Sequence, residues 1–409
     1  MSGTTIRIEK LIYGGMGLGR HRGQVVFVPF SVPGDELLVR TVEKKKNYLR
    51  AEIIDILTPG DGRIEPFCPH FTRCGGCCWQ HLDYVRQVET KRLILEELLH
   101  HRFPQTGNIP ITMKACLQPF PYRSRARIQL RRFGTDTSAG FFRRGSHRVE
   151  DVEYCPLFRP TLDTALQAVR RMLRDTAAVL SPREVDIASS EEDGAWDAAI
   201  PGSDSVQAAA ISPDIDGKTT CALRKTVGAF SYIFSAAVFF QANDFMVDEL
   251  AAEVAASAET AGSGAALDLY SGVGLFSLPL ARRFGKVIAV ESSLAAAGFC
   301  SANSDNAGFE NIRAVHADVS SWIESADGAS RYDCIVLDPP RAGAGSDVMK
   351  RIGELSPETI LYVSCDPQTL IRDLAGISPH DYRIDAVEGL DMFPQTYHIE
   401  TVVRLTRMR

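Results

Sequence analysis

The chain has 409 residues, 45% apolar and 23% charged, which suits about two to three globular domains and excludes a collagen-like or wholly disordered protein. No run approaches the ~18 consecutive apolar residues of a membrane span. The polar N-terminus MSGTTIRIEK resembles neither a signal nor a transit peptide, so a cytoplasmic monomer with no membrane partner is expected. The net charge of −6 conceals an asymmetry: residues 1–160 hold 25 Lys and Arg against 16 Asp and Glu, residues 161–409 hold 20 against 35, and a polyanion would bind the first part.

Residues 1–58 alternate apolar and polar side chains in short runs, TIRIEKLIYGG, GQVVFVPFSV and DELLVRTVEKKKNYLRAEIIDIL. So many strands in so few residues predict a small β-barrel of oligonucleotide-binding type, closed by Pro59–Gly62. The loop CPHFTRCGGCCWQH then crowds Cys68, Cys74, Cys77 and Cys78 together, with Cys155 alone further on in EYCPLF. Thiolates held by a Gly75–Gly76 turn suit an iron–sulfur cluster or a structural zinc. The spacing lacks the paired CxxC knuckles of zinc ribbons, which favours [4Fe–4S] on Cys68, Cys74, Cys77 and Cys155. Cys78, Cys116, Cys221, Cys300 and Cys334 are expected to be packing residues.

An amphipathic helix is expected from about Asp83 to His100. Between Phe120 and Arg148 eight arginines face one acid, Asp136, with Tyr122, Phe133, Phe141 and Phe142 interleaved. That composition suits RNA, since arginine pairs with phosphate and aromatics stack on unpaired bases; a solvated hairpin face is the alternative. A helix is expected from Arg159 to about Thr176, and exposed turns and hairpins over 189–218. The organisation is therefore a barrel over 1–60, a central cluster-bearing and RNA-binding β-rich domain over 61–235, and a third domain over 236–409. The helix at 83–100 could pack on that third domain.

From Val238 strands alternate with helices, the pattern of a Rossmann-like α/β domain with a parallel sheet. AALDL, VIAVESS, IRAVHAD, YDCIVLD and TILYVSC are its strands, and YRIDAVEGLDMF and HIETVVRLTRM fit a final pair. Polar residues cluster at the strand ends: Asp268, Glu291, Asp318, Asp338 and Cys365. Asp268 beside the Gly272/Gly274 turn would repel a pyrophosphate, whereas S-adenosylmethionine offers a ribose for Glu291, an adenine amine for Asp318 and an ammonium for Asp268 or Asp338. Any one of these acids could instead be a helix N-cap. Asp338-Pro-Pro-Arg341 resembles the loop of amine methyltransferases with Arg341 replacing the aromatic, so the target is not a stacked amine. Cys365, at a strand end in VSCDP, can reach bound substrate as a nucleophile.

Taken together, these motifs resemble the RNA uracil-5-methyltransferase family across nearly the whole chain. Residues 1–58 look like its TRAM barrel, the cysteine loop with Cys155 like its [4Fe–4S] site, and PYRSRARIQL like its RNA-contacting segment, which implies RNA contacts at Arg123, Arg125 and Arg127. FFQAN, DLYSGVGLFSL, DPPRAG, VSCDP and FPQTYHIE complete the resemblance. It implies that Gln241, Tyr270, Glu291, Asp318 and Asp338 contact S-adenosylmethionine, that Cys365 is the nucleophile and that Glu400 is the base. Asp338 could orient either the uracil edge or the cofactor. Leu275 stands where several members carry Asn, which removes one polar cofactor contact. Ribosomal RNA is the favoured substrate, with tRNA as the alternative. A nicotinamide-dependent oxidoreductase leaves Cys365 and DPPR unexplained, and a non-catalytic RNA-binding protein leaves the whole Cys365, Glu400 and cofactor series without a use.

Overall fold

The computed structural model describes residues 3–104, 109–133, 136–175, 183–201, 222–259, 261–325, 328, 330–377 and 380–408. Cys221 and most of the turns expected over 189–218 lie outside these residues.

Five strands, β1 (Thr4–Leu11), β2 (Met16–His21), β3 (Gln24–Pro29), β4 (Glu36–Lys44) and β5 (Tyr48–Thr58), close into a barrel in the order β1-β2-β3-β5-β4. The alternation in the sequence turns Ile6, Ile8, Val26, Val28, Leu37 and Val39 inward. A register shift between Ile8 and Lys10 breaks that alternation at the end of β1, and Leu11 packs outside the barrel against Trp79, Leu82 and Leu95. The barrel is thereby joined to the rest of the molecule through its own strand.

Helix α1 (Tyr84–Arg102) begins at Asp83, whose carboxylate accepts from the Arg86 amide at 3.0 Å. Its buried face is partly polar: Gln87 and Lys91 join Ile94, Leu95 and Leu99. After the short strand β6 (Ile111–Lys114), a central antiparallel sheet is built from β7 (Arg125–Phe133), β8 (Asp136–Phe142), β9 (Val149–Asp151), β10 (Glu184–Ser190) and β11 (Ala195–Ala199), in the order β11-β10-β7-β8-β9. Helix α2 (Pro160–Asp175) packs Leu162, Leu166, Val169 and Leu173 onto Ile128, Val185, Ile187 and Trp196. The expectation of exposed turns from 189 onward is corrected as far as 199, because β11 is buried throughout. Its acid, Asp197, tolerates burial by accepting from the Ala198 and Ala236 amides at 2.8 and 2.7 Å.

A hairpin, β12 (Leu223–Val227) and β13 (Phe230–Phe234), leads into the α/β domain: α3 (Val247–Ala258), β14 (Ala265–Leu269), α4 (Ser277–Ala281), β15 (Lys286–Glu291), α5 (Leu294–Asn306), β16 (Ile312–His316), α6 (Val319–Ile323), β17 (Cys334–Leu337), α7 (Ser346–Leu355), β18 (Thr359–Ser364), α8 (Pro367–Leu374), β19 (Tyr382–Leu390) and β20 (Glu400–Arg407). Eight strands run β16-β15-β14-β17-β18-β20-β19-β6; β14 to β18 are parallel, and β20 is antiparallel to both its neighbours. Each strand feeds two cores: Ala266, Val336 and Val363 face α3 and α4, while Leu267, Leu337 and Tyr362 face α1, α6, α7 and α8. So α1 and β6, which precede the central sheet in the chain, complete the layers of the C-terminal domain. A fully buried ion pair, Lys91 Nζ to Asp391 Oδ1 at 2.6 Å, ties α1 to the loop before β20. Among the described residues no helix is long and apolar enough to cross a membrane.

Candidate active site

The sheet's register builds the site. Leu269 is opposite Leu337 on one side and Val290 on the other, so the next residues, Tyr270, Asp338 and Glu291, emerge at one level at the carboxyl ends of β14, β17 and β15. On the far side Ser364 pairs with Thr401, which sets Cys365 and Glu400 facing each other as the antiparallel β18–β20 ladder opens. Tyr270 (φ +61°) and Gly272 (φ +55°) turn the chain sharply at this edge.

Asp268 is not at that level. It is fully buried two residues earlier, and the hydroxyl of Ser277 donates to its Oδ2 at 2.5 Å. Ser277, the first residue of α4, thus braces the turn from below, and burial pushes the Asp268 carboxyl up to about 7. Asp268 is a support of the cofactor turn, one layer below the cleft mouth where the sequence suggested it.

Around Cys365 the charges are unevenly matched. Burial, then Glu400, pushes the Cys365 thiol up to about 12, while Arg341 pulls it down. Glu400 is 2% exposed and raised well above the carboxylate range by burial and by Asp338, with Arg341 again opposing. Asp338 is raised too, by burial and then by Asp268. A carboxyl held in this way exchanges its proton nearer neutrality than one in water. Arg341, which the sequence marked only as a missing aromatic, is therefore the cation opposing Glu400 and the Cys365 thiol. Its Nη2 donates to His398 Nε2 at 3.3 Å; burial and Arg341 push that imidazole down to about 3, so it is neutral and its Nδ1 bears the proton. A lone cation inside a proline-rigid loop is the signal that could have found it.

The expected cofactor residues are spread along the same edge. Glu291 accepts from the amides of Gly272 at 3.0 Å and Ser293 at 2.7 Å, fixing the glycine turn to the start of α5. Asp318 caps α6, its Oδ1 taking the Ser321 amide at 3.0 Å. Burial, then Asp318, raises the Tyr270 phenol to about 12, and Gln241 is buried at the turn after β13. The loop after Arg341 is held by buried Asp373 of α8, which accepts from Tyr362 at 2.6 Å, Ala344 at 2.7 Å and Arg372 at 2.7 Å. Asp373 is unremarkable in the sequence, because two of its partners, Ala344 and Tyr362, come from separate segments.

Cys68, Cys74, Cys77 and Cys155 line one pocket with Arg123, Phe141 and Leu157, and all four are free thiols. Burial raises Cys74, Cys77 and Cys155, the last to about 12. The Gly76 amide is directed at the Cys74 sulfur at 3.4 Å, and buried Glu150 pairs with Arg73 and Arg143, each at 2.8 Å, to hold the loop against the β8–β9 hairpin. Among the described residues no three His, Cys, Asp or Glu side chains converge closely enough to share one metal ion. Cys78 lies outside the pocket and packs toward Tyr397.

The arginines expected at RNA behave differently from one another. Arg125 directs its guanidinium at the carbonyls of Ala236, at 2.7 Å, and Val238. Arg127 forks onto Asp186 at 2.9 and 2.9 Å. Arg123 donates to the Arg125 carbonyl at 2.8 Å beside the cysteine pocket. Arg144, by contrast, lies over the Phe30 ring at 4.6 Å in a cleft between barrel and central sheet that Phe27, Arg50, Arg63 and Phe71 also line.

Known proteins with this architecture decide the family. The tRNA (uracil-5-)-methyltransferase family matches residues 222–408 and the TRAM domain matches residues 2–54. The 23S rRNA (uracil(1939)-C(5))-methyltransferase RlmD of Pectobacterium atrosepticum is 32% identical over 97% of this chain and 92% of its own. The chain belongs to the RNA uracil-C5-methyltransferases. It is an enzyme of that family, with a TRAM barrel and a Rossmann-like catalytic domain. An uncharacterized RNA methyltransferase of Thermotoga maritima is 31% identical, covering 98% of each chain. The tRNA (uracil-54, C5)-methyltransferase of Pyrococcus abyssi, solved with S-adenosyl-L-homocysteine, shares the fold at a TM-score of 0.75 and 24% identity over 98% of this chain and 99% of its own.

Proposed function

We propose that this enzyme methylates C5 of a uridine in 23S ribosomal RNA through a covalent bond between Cys365 and C6 that Glu400 resolves. The observation carrying the reading is the opposition of Cys365 and Glu400 at the open end of β18 and β20, with Asp338 and Arg341 against them. Uracil C5 is a weak nucleophile. When the Cys365 thiol releases its proton to solvent through the open cleft and the thiolate adds to C6, the electrons of the C5–C6 double bond form an enolate whose C5 can take a methyl cation equivalent. S-adenosylmethionine supplies that methyl group, and Gln241, Tyr270, Glu291, Asp318 and Asp338 are the residues assigned to hold it. C5 then carries both a methyl group and a hydrogen. Glu400 removes the proton, the double bond reforms and the Cys365 sulfur departs as thiolate. A carboxylate with a raised pKa is a better base for that step than one in water.

Cys68, Cys74, Cys77 and Cys155 are assigned as ligands of a [4Fe–4S] cluster. Four soft donors around one pocket, and an amide directed at the Cys74 sulfur, suit an extended centre better than a point ion. Nothing in the reaction needs an electron, so the cluster braces the loop between barrel and central sheet. The cleft holding Arg144 and Phe30 is assigned to the RNA strand, which must be unstacked for its uracil to reach Cys365. A monomer acting in the cytoplasm suffices for this chemistry.

The full-length likeness to a 23S rRNA enzyme supports ribosomal RNA over tRNA. Mapping 5-methyluridine in both RNAs from a deletion strain tests it. Loss at one 23S position is expected; loss in tRNA alone moves the target there, and loss in neither contradicts the proposal.

A further inference from the structure

The barrel does more than lie beside the catalytic domain. Its β1–β2 turn enters the wall of the cleft: the Trp79 indole donates to the Gly15 carbonyl at 3.2 Å, and a Cβ on Gly15 (φ +81°) would come within 2.9 Å of the Cys78 sulfur and 3.1 Å of the Tyr397 ring. That close approach brings Tyr13 edge-on to Tyr397, with ring centroids 5.2 Å apart at 87°. Tyr397 in turn lies 4.3 Å from His398, the acceptor for Arg341. An aromatic series therefore runs from the barrel to the cation of the active site.

The Tyr13 hydroxyl is buried and faces Asp366, Tyr397 and Cys365, with the Asp366 carboxylate as the group placed to accept from it. Asp366 follows the nucleophile directly. Its Oδ1 caps α8 by accepting from the amides of Gln368 at 2.9 Å and Thr369 at 3.3 Å, and its backbone is pinned on the other side by Ser364, whose hydroxyl accepts from the Asp366 amide at 3.2 Å. The peptide between these anchors fixes where the Cys365 sulfur points. A buried phenol is costly unless its donor is satisfied, directly or through one water, and a capping carboxylate makes the stronger acceptor.

We propose that Tyr13 is a positioning residue supplied by the barrel, which holds Asp366, and through it the Cys365 sulfur, in line for attack on the uracil. The barrel is then part of the catalytic unit as well as an RNA-binding module. The inference rests on the reading of Cys365 as nucleophile.

The test uses the full-length protein, S-adenosylmethionine, and 23S rRNA and tRNA transcripts made with 5-fluorouridine, in which the resolving step is blocked and the covalent complex accumulates. Tyr13→Phe keeps the ring contact and removes only the hydroxyl. Asp366→Asn keeps the helix cap and weakens the acceptor. Each variant should slow covalent-complex formation about 10-fold under saturating RNA and cofactor, with both affinities and the melting temperature unchanged, because a small misplacement of a reacting atom costs rate rather than binding. The double variant should be no slower than either single one, since both break one link. A wild-type rate for Tyr13→Phe, a loss confined to RNA affinity, or additive losses in the double variant would overturn the inference while leaving the nucleophile intact. Absence of any covalent complex with the wild type would instead remove the reading on which it rests.

Discussion

Two buried thiols in this molecule, Cys155 and Cys365, have opposite surroundings. Cys155 and Cys365 are both pushed up to about 12 by burial. Around Cys155 the next influences are an amide, Arg123 and other thiols; around Cys365 they are three carboxyls, Glu400, Asp338 and Asp366, and the opposing Arg341. Burial alone therefore says nothing about what a cysteine does. Under the proposed assignments, what would distinguish them is the species able to take the thiolate's charge: a cationic centre in the pocket, an electrophilic carbon against Arg341 in the cleft.

That contrast breaks most visibly at Cys365. Cys365→Ala should abolish methyl transfer and covalent complex formation while S-adenosylmethionine still binds, measured by titration calorimetry. Cys77→Ser should do the reverse: iron and visible absorbance are lost from anaerobically purified protein, the melting temperature falls by several degrees, and cofactor affinity holds. Zinc without iron in the wild type would contradict the cluster assignment.

The arginines sharpen the same lesson at smaller scale. Arg125→Gln should cost about 1–3 kcal/mol of stability, because it strips buried carbonyls of their donor, and should leave the salt dependence of RNA binding unchanged. Arg144→Gln should leave stability nearly intact and reduce the salt slope by about 1, the loss of one phosphate contact. Equal effects from the two would erase the distinction between them.

The smallest effect concerns pH. Asp338 keeps its proton in the folded protein at pH values where the unfolded chain, titrating near the ordinary ~3.9, has lost it. Folding then takes up a proton, so stability falls as pH rises through the interval from that ordinary value to the raised one. Asp338→Asn removes the penalty, and its melting temperature should exceed the wild type's by a few degrees at about pH 8 and match it at about pH 4. A gain at the lower pH only would reverse the sign of the shift.

Much of this architecture is legible in the sequence where a local pattern dictates it. The barrel follows from strict alternation, and the parallel sheet from apolar runs that each end in a polar residue before a helix. Asp83 was visible at the start of α1 because capping is local. What could not be read depends on contacts between distant segments. ITMK is too short to announce β6, and AWDAA hides a buried strand because its acid is satisfied by an amide forty residues on. Asp268 and Asp338 look alike in the sequence, and only the register shows one below the cleft and the other at its mouth. The carbonyls that take the Arg125 donors lie more than a hundred residues away, so this anchoring could not be read locally.

The central claim is that Cys365 and Glu400 act on opposite sides of one covalent intermediate, and Glu400→Gln tests it most directly. The variant keeps the shape of the side chain and loses the base, so turnover should fall by roughly 10²–10⁴-fold while addition and methylation proceed. A denaturation-resistant protein–RNA complex should accumulate, and mass spectrometry of its peptides should find an already methylated uracil attached to Cys365. Normal turnover with no such complex, or a complex attached to another cysteine, would contradict the account.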